Sequence, residues 1–286
     1  MVFFFSSVHI LSKVISMQVF KKPLITISIV ISLCLLAACQ RSPTGRSQLL
    51  LFSKEKMAKM GEQSFTQLKD AEKKEGKIST DKKLNARVQC ISSNIIRQLE
   101  TDNNPKDWEV VVFDSDQLNA FALPGGKIGV YTGILKAAKN NDQLAAVIGH
   151  EVGHVLAQHG NARVSNNVAI QLGLSAADVL ISSSEASSYR GELMAALGLG
   201  AQYGVALPYS RSHESEADII GLELMHKAGF NVEDAPKLWQ NMAALSKGSP
   251  PEFLSTHPNP KTRQRDLAKH GEYIQDTVVK GRRPNC

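Results

Sequence analysis

The chain has 286 residues, a formal net charge of +6 and 43% hydrophobic residues, the balance of a globular protein rather than a disordered one. That length suits one sizeable domain or two small ones. Removing residues 1–38 takes away Lys13, Lys21 and Lys22 and no acid, so the charge falls from +6 to +3; no basic stripe with interleaved aromatics appears, and no nucleic-acid partner is expected.

In chain order, Lys21 and Lys22 precede an apolar run from Pro23 to Ala38, the form of a secretory signal and too short for a confident membrane span. Leu36-Ala37-Ala38-Cys39 closes the run in the form of a bacterial lipobox. It implies cleavage before Cys39 and lipidation of that residue, several acyl chains giving a stable anchor where one would be marginal. The alternative is an ordinary signal with a chance cysteine. Gln40 in place of Asp favours the outer membrane, and Met17 is an alternative initiator. The expected segments are a lipoprotein signal over 1–38, a membrane tether over 39–53, a catalytic domain over 54–270 and a C-terminal tail over 271–286. The basic stretch from Lys280 to Arg283 reads as a solvated end.

Lys54 to Lys74 is polar and helix-favouring, and Asp81 to Glu100 places Leu84, Val88, Ile91, Ile95 and Leu99 on one helical face. Glu109 to Phe113 and Lys127 to Tyr131 read as strands, the second preceded by Pro124-Gly125-Gly126. The later strand either receives a peptide at its edge or lies inside the sheet. A short helix around Gly133 to Lys139 leads to a strongly apolar helix, capped near Asn140 and stopped at Gly160. Residues 160–210, rich in Ala, Gly, Ser and Leu, suggest two weak helices broken near Ser182-Ser183-Ser184, either ordinary small-residue packing or a cover over a site. Helices are also expected over Ser212 to Ala228, Glu233 to Ser246 and Pro260 to His270. The fold class is α+β, mostly helical with a small sheet. In an oxidising compartment, Cys90 and Cys286 are either a disulfide or two free thiols.

The apolar helix carries His150-Glu151-Val152-Gly153-His154. Histidines four apart on a helix face the same way and can hold one metal ion, and the glutamate beside the first sits where a general base would. Buried imidazoles and a carboxylate need partners, which a metal satisfies together. A hydrolytic zinc site takes three protein ligands and a water. The continuation after His154 lacks the three-histidine spacing, since His159-Gly160-Asn161 does not fit it, so a later glutamate is expected. Glu214 and Asp218 share one helix face: Glu214 can ligate zinc and Asp218 can orient a ligating histidine. Glu216 points off that face, and His213 is a competing ligand. Arg211 and His257 are candidates for an oxyanion donor.

HEVGH, the later Ser210–Asp218 block and Asn119-Ala120-Phe121-Ala122-Leu123-Pro124-Gly125-Gly126 resemble the HtpX-type and CAAX-protease-type zinc metallopeptidases over roughly residues 44–270. The lipobox makes the chain similar to the outer-membrane lipoprotein branch of that family. The resemblance implies a gluzincin fold, one zinc ion held by His150, His154 and Glu214, and Glu151 as the catalyst. It also implies that His257, in Ser255-Thr256-His257-Pro258, approaches the zinc as an inhibitory switch, although His257 could instead simply cap a loop. The implied substrates are misfolded or damaged envelope proteins on the periplasmic face of the outer membrane, with the outer-membrane assembly machinery as a further partner. The alternative is a lipoprotein chaperone that cuts rarely, for which Glu151 would have no purpose.

Overall fold

The computed structural model describes residues 39–99, 108–182, 210–245, 253, 257 and 262–286, and the chain divides into Met1–Leu50 and Leu51–Cys286. The signal segment and the serine-rich break at 183–184 lie outside the described residues. In the first unit β1 (Cys39–Arg41) and β2 (Ser47–Leu49) pair antiparallel, with Cys39 opposite Leu49. Gly45 takes φ +90° in the connecting turn, and Ser42 Oγ accepts from the Arg46 amide. Part of the expected tether is therefore a hairpin, because the local turn bonds outcompete a free linker.

In the second unit, α1 (Lys54–Lys74) is capped by Ser53, which accepts from the Lys56 amide, and α2 (Lys82–Ile96) by Asp81, which accepts from the amides of Lys83 and Leu84. The sheet comprises β3 (Glu109–Phe113), β4 (Ala120–Leu123) and β5 (Lys127–Tyr131) in the order β3-β5-β4. β3 pairs parallel to β5, Glu109 opposite Lys127, and β4 pairs antiparallel, Ala120 opposite Val130. Lys127 to Tyr131 is thus the central strand. The outer position falls to Ala120–Leu123, joined to it by a turn in which Gly125 and Gly126 have φ of +86° and +74°. A side chain on Gly126 would meet the Trp108 ring at 2.8 Å.

After a 3₁₀ turn (Thr132–Lys136) comes α3 (Asn141–Leu156), capped by Asn140, whose side chain accepts from the Gln143 amide. Every residue from Asp142 to His154 is buried, so this helix runs through the core. Burying Leu144, Ile148 and Val152 stabilises the fold by about 1.5–3 kcal/mol each. The helix ends before Gly160, at Leu156. Gln158 turns the chain with a left-handed φ of 55°, and α4 (His159–Ser182) starts immediately, running without a break to Ser182.

Next come α5 (Arg211–Lys227), capped by Ser210, α6 (Asp234–Leu245) and α7 (Arg263–Thr277), which extends past His270. α3 and α5 touch backbone to backbone. An added Cβ would lie 2.8 Å from the Gly221 carbonyl at Gly149, 2.7 Å from the Ala217 carbonyl at Gly153, and 2.7 Å from the His150 nitrogen at Gly221. Small residues at these four positions bring the two helices into that contact.

The C-terminal tail is anchored, although Lys280, Arg282 and Arg283 stay exposed as the solvated end the sequence suggests. Arg283 forks onto Asp142 at 3.0 and 2.9 Å, the Gly281 amide donates to the His226 carbonyl, and Cys286 is disulfide-bonded to Cys90 in α2. Among the described residues no helix is long and apolar enough to cross a membrane.

Candidate metal centre

Four side chains converge under α3. His150 and His154 project from one face of that helix, their Nε2 atoms 3.1 Å apart. Glu214, from the first turn of α5, places Oε1 3.3 Å from His154 Nε2 and Oε2 3.5 Å from His150 Nε2. His257 completes the group, with Nδ1 3.2 Å from His150 Nε2 and 3.1 Å from Glu214 Oε1. Its ring stacks on Phe253, and its amide donates to the Phe253 carbonyl. All four are buried, and their ligand atoms lie within 4.8 Å of one another.

This donor set fits one zinc ion. Zinc with nitrogen and oxygen ligands at its usual bond lengths would separate neighbouring donors by about 3.4 Å in a tetrahedron, close to the spacings above. His150 Nδ1 meets Asp218 Oδ1 at 2.9 Å, so its proton sits on that side and the Nε2 lone pair faces the cluster. Donor atoms brought this close need a cation between them, a metal ion or, in the zinc-free site, the proton that His150 then carries.

Glu151 adds a second sign. Buried on the same helix, it accepts a bond at Oε2 from the Ala122 amide of β4, 3.3 Å away, while Oε1 makes no hydrogen bond among the described residues and has His257 Nε2 3.5 Å away, at ion-pair distance. A buried carboxylate oxygen without a hydrogen bond is costly unless a ligand or water completes it. Burial raises the Glu151 carboxyl above its ordinary value.

Behind the cluster lies an arginine that no local spacing announces. Arg263, at the start of α7, is 4% exposed and donates from Nε and Nη2 to the two oxygens of Asp218 and from Nη1 to Glu214 Oε2, each at 2.7 Å. Its guanidinium lies 3.6 Å from the centre of the Trp239 ring. Only the two buried carboxylates, Glu214 and Asp218, hinted that a cation was required. Burial pushes Asp218 up, but the Arg263 charge and the bond with His150 prevail and hold it low. Burial likewise opposes ionisation of Glu214, and the bonds from the three histidines overcome it, so that carboxyl stays well below its usual range. Burial disfavours a charge on His150, yet its bonds with Asp218 and Glu214 lift it to about 9 in the zinc-free site; burial drives His154 well below its usual value.

The remaining site residues of the sequence reading fall elsewhere. Arg211 is exposed at the start of α5, and the arginine buried against the carboxylates is Arg263. His213 is buried outside the metal-ligating group, its ring stacked on His159 at 4.3 Å. Glu216 lies off the Glu214 face as expected but is 3% exposed, with Oε2 3.0 Å from His159 Nε2. Beside β4 opens a cavity of about 690 Å³, lined by Met57 and Gly61 of α1, Trp108, Leu123 and Pro124, and His154.

A helical core, a small sheet with its short outer strand against Glu151, and this buried histidine–glutamate cluster define a zincin-type metallopeptidase. The Peptidase family M48 model matches residues 82–270, more than half of the chain, and the chain belongs to that family. It is 37% identical over 183 residues to the mitochondrial metalloendopeptidase OMA1 of Schizosaccharomyces pombe, covering 63% of this chain and 50% of that protein. The OMA1 metalloendopeptidase of Danio rerio is 33% identical over 255 residues, covering 85% of this chain and 52% of its own length. The beta-barrel assembly-enhancing protease of Yersinia pestis is 27% identical over 194 residues, covering 66% of this chain and 39% of its own. The chain thus spans about half the length of these curated relatives, or less.

Proposed function

We propose that this chain is a zinc-dependent endopeptidase, anchored by lipid on Cys39 to the periplasmic face of the outer membrane, that cuts misfolded or damaged envelope proteins. The observation that carries the chemistry is the placement of Glu151, buried beside the His150, His154 and Glu214 donors with an Oε1 that makes no hydrogen bond among the described residues. The lipobox and the name of the beta-barrel assembly-enhancing protease support the envelope setting.

His150, His154 and Glu214 would hold the zinc, which when bound supplies Lewis acidity that activates water and polarises a carbonyl. Glu151 Oε1 takes the proton of the attacking water and returns it to the leaving amine, while the Ala122 amide steadies Oε2. Burial, by raising the Glu151 carboxyl, suits it to both halves of that transfer. β4 has β5 on one side and no strand on the other among the described residues, so an extended substrate adds to β4 by main-chain bonds and tolerates many sequences. The adjoining cavity receives an apolar side chain of that substrate. Arg263 holds Glu214 and Asp218 in place from behind.

His257 Nδ1 lies among the metal-ligating atoms, so His257 would take the place of water beside His150, His154 and Glu214 and would hold the resting enzyme closed. Glu151→Gln should keep zinc and lose cleavage of unfolded casein; persistent cleavage would refute the assigned base. Cys39→Ser should leave the protein soluble, and firm membrane attachment in that variant would sink the lipid anchor. His257→Ala should raise basal cleavage severalfold; an unchanged rate would remove the switch.

A further inference from the structure

We propose that His159 and Glu216 form a positioning relay that fixes the proton and the ring of His154 and thereby sets the affinity of the site for zinc; this rests on the reading of His154 as a zinc ligand. His159 Nδ1 lies 2.9 Å from His154 Nδ1, and His159 Nε2 lies 3.0 Å from Glu216 Oε2. All three side chains are buried, at 2%, 0% and 3% exposure for His154, His159 and Glu216.

Two facing imidazole nitrogens share a hydrogen bond only when one of them carries a proton. Zinc on His154 Nε2 puts the proton of the neutral ring on Nδ1. That makes His154 the donor and leaves His159 Nδ1 the acceptor. The proton of His159 then sits on Nε2, where it points at Glu216. Each step determines the next, and the chain ends on a carboxylate. The other ligand is held the same way, His150 Nδ1 meeting Asp218. A ligand's second nitrogen held by a carboxylate, directly or through another group, keeps the ring oriented and makes it a better donor to metal.

The backbone is bent to make this contact. In an uninterrupted helix, residues five apart point about 140° away from each other. His159 meets His154 because α3 stops at Leu156 and Gln158 turns the chain in the left-handed region, at φ 55°. A residue other than glycine held there costs about 1–2 kcal/mol. His213 stacks on a face of the His159 ring and limits its rotation.

The test is zinc affinity by competition with a chelator, in the full-length protein and independently of cleavage. His159→Ala should weaken zinc binding about 10- to 100-fold. His159→Asn, whose side-chain oxygen replaces the Nδ1 acceptor, should recover most of that loss, and Glu216→Ala should weaken binding in the same direction. Helicity of the zinc-free variants separates a lost relay from a lost fold; if His159→Ala does not fold, His159→Asn and Glu216→Ala decide. Wild-type affinity in Glu216→Ala, or His159→Asn no better than a folded His159→Ala, would overturn the relay. His154→Ala is the separate control: if it binds zinc as tightly as wild type, the metal site itself is misassigned, whereas loss of zinc there with normal zinc in the relay variants refutes the relay alone.

Discussion

Replacing Arg263 by alanine should be among the most destabilising single changes in this chain. Its guanidinium makes three hydrogen bonds of 2.7 Å to Asp218 and Glu214 and stacks on Trp239, all away from solvent. Without it, two buried carboxylates lose their cation, and breaking a buried ion pair by removing one partner costs about 3–5 kcal/mol. For a chain of this size that corresponds to a fall in Tm of about 10 °C. Zinc partly replaces the missing charge on Glu214, so the fall should be largest in zinc-free protein and smaller in zinc-loaded protein. Arg263→Lys keeps a charge but cannot serve Asp218 and Glu214 together as a fork, so it should fall between wild type and alanine. Thermal unfolding with and without a chelator measures all of this. A zinc-free Arg263→Ala protein melting within about 3 °C of wild type would show that Arg263 is a bystander.

Replacing Cys90 and Cys286 together by serine removes a cross-link spanning 196 residues, and should cost about 2–5 kcal/mol in denaturant unfolding; equal midpoints would mean the tail is held by Arg283 and its neighbours alone. In zinc-free protein the raised His150 favours folding below its unfolded value of 6.5, and that contribution disappears as the pH climbs through about 9. Zinc must displace the same proton, so its apparent affinity should rise about tenfold per pH unit up to about pH 9 and then level off; a flat chelator-competition profile between pH 7 and 9 would refute the proton assignment. Gly221→Ala puts a methyl carbon 2.7 Å from the His150 backbone nitrogen and should cost about 1–3 kcal/mol while weakening zinc, because it separates Glu214 from the histidines. Unchanged stability and zinc affinity would show that the α3–α5 contact can yield.

The helices and the cap at Asn140 were legible because each depends on neighbours in sequence: Asn140 bonds an amide three residues on, and Val88, Ile91 and Ile95 share a face by helical period. HEVGH was legible for the same reason, four residues being one turn, as was the pairing of Glu214 with Asp218. The outer strand was not read as a strand, since four residues of Ala-Phe-Ala-Leu carry almost no periodicity and its place in the sheet depends on pairing with β5. Nor was the end of α3, where Gln158 takes a conformation that glycine would ordinarily supply and the chain turns back to bring His159 against His154.

By itself, then, the order of residues determined the elements, two adjacent donors on one helix turn and the kind of partner they lacked. Only the tertiary structure decided which distant groups meet them: Arg263 on Glu214 and Asp218, Glu216 on His159, His257 among the ligand atoms, and the tail on α2. The physical reason is that hydrogen bonds within a helix turn are set by local geometry. A buried charge finds its counter-charge only when helices far apart in sequence pack together, here through the glycine contact of α3 with α5.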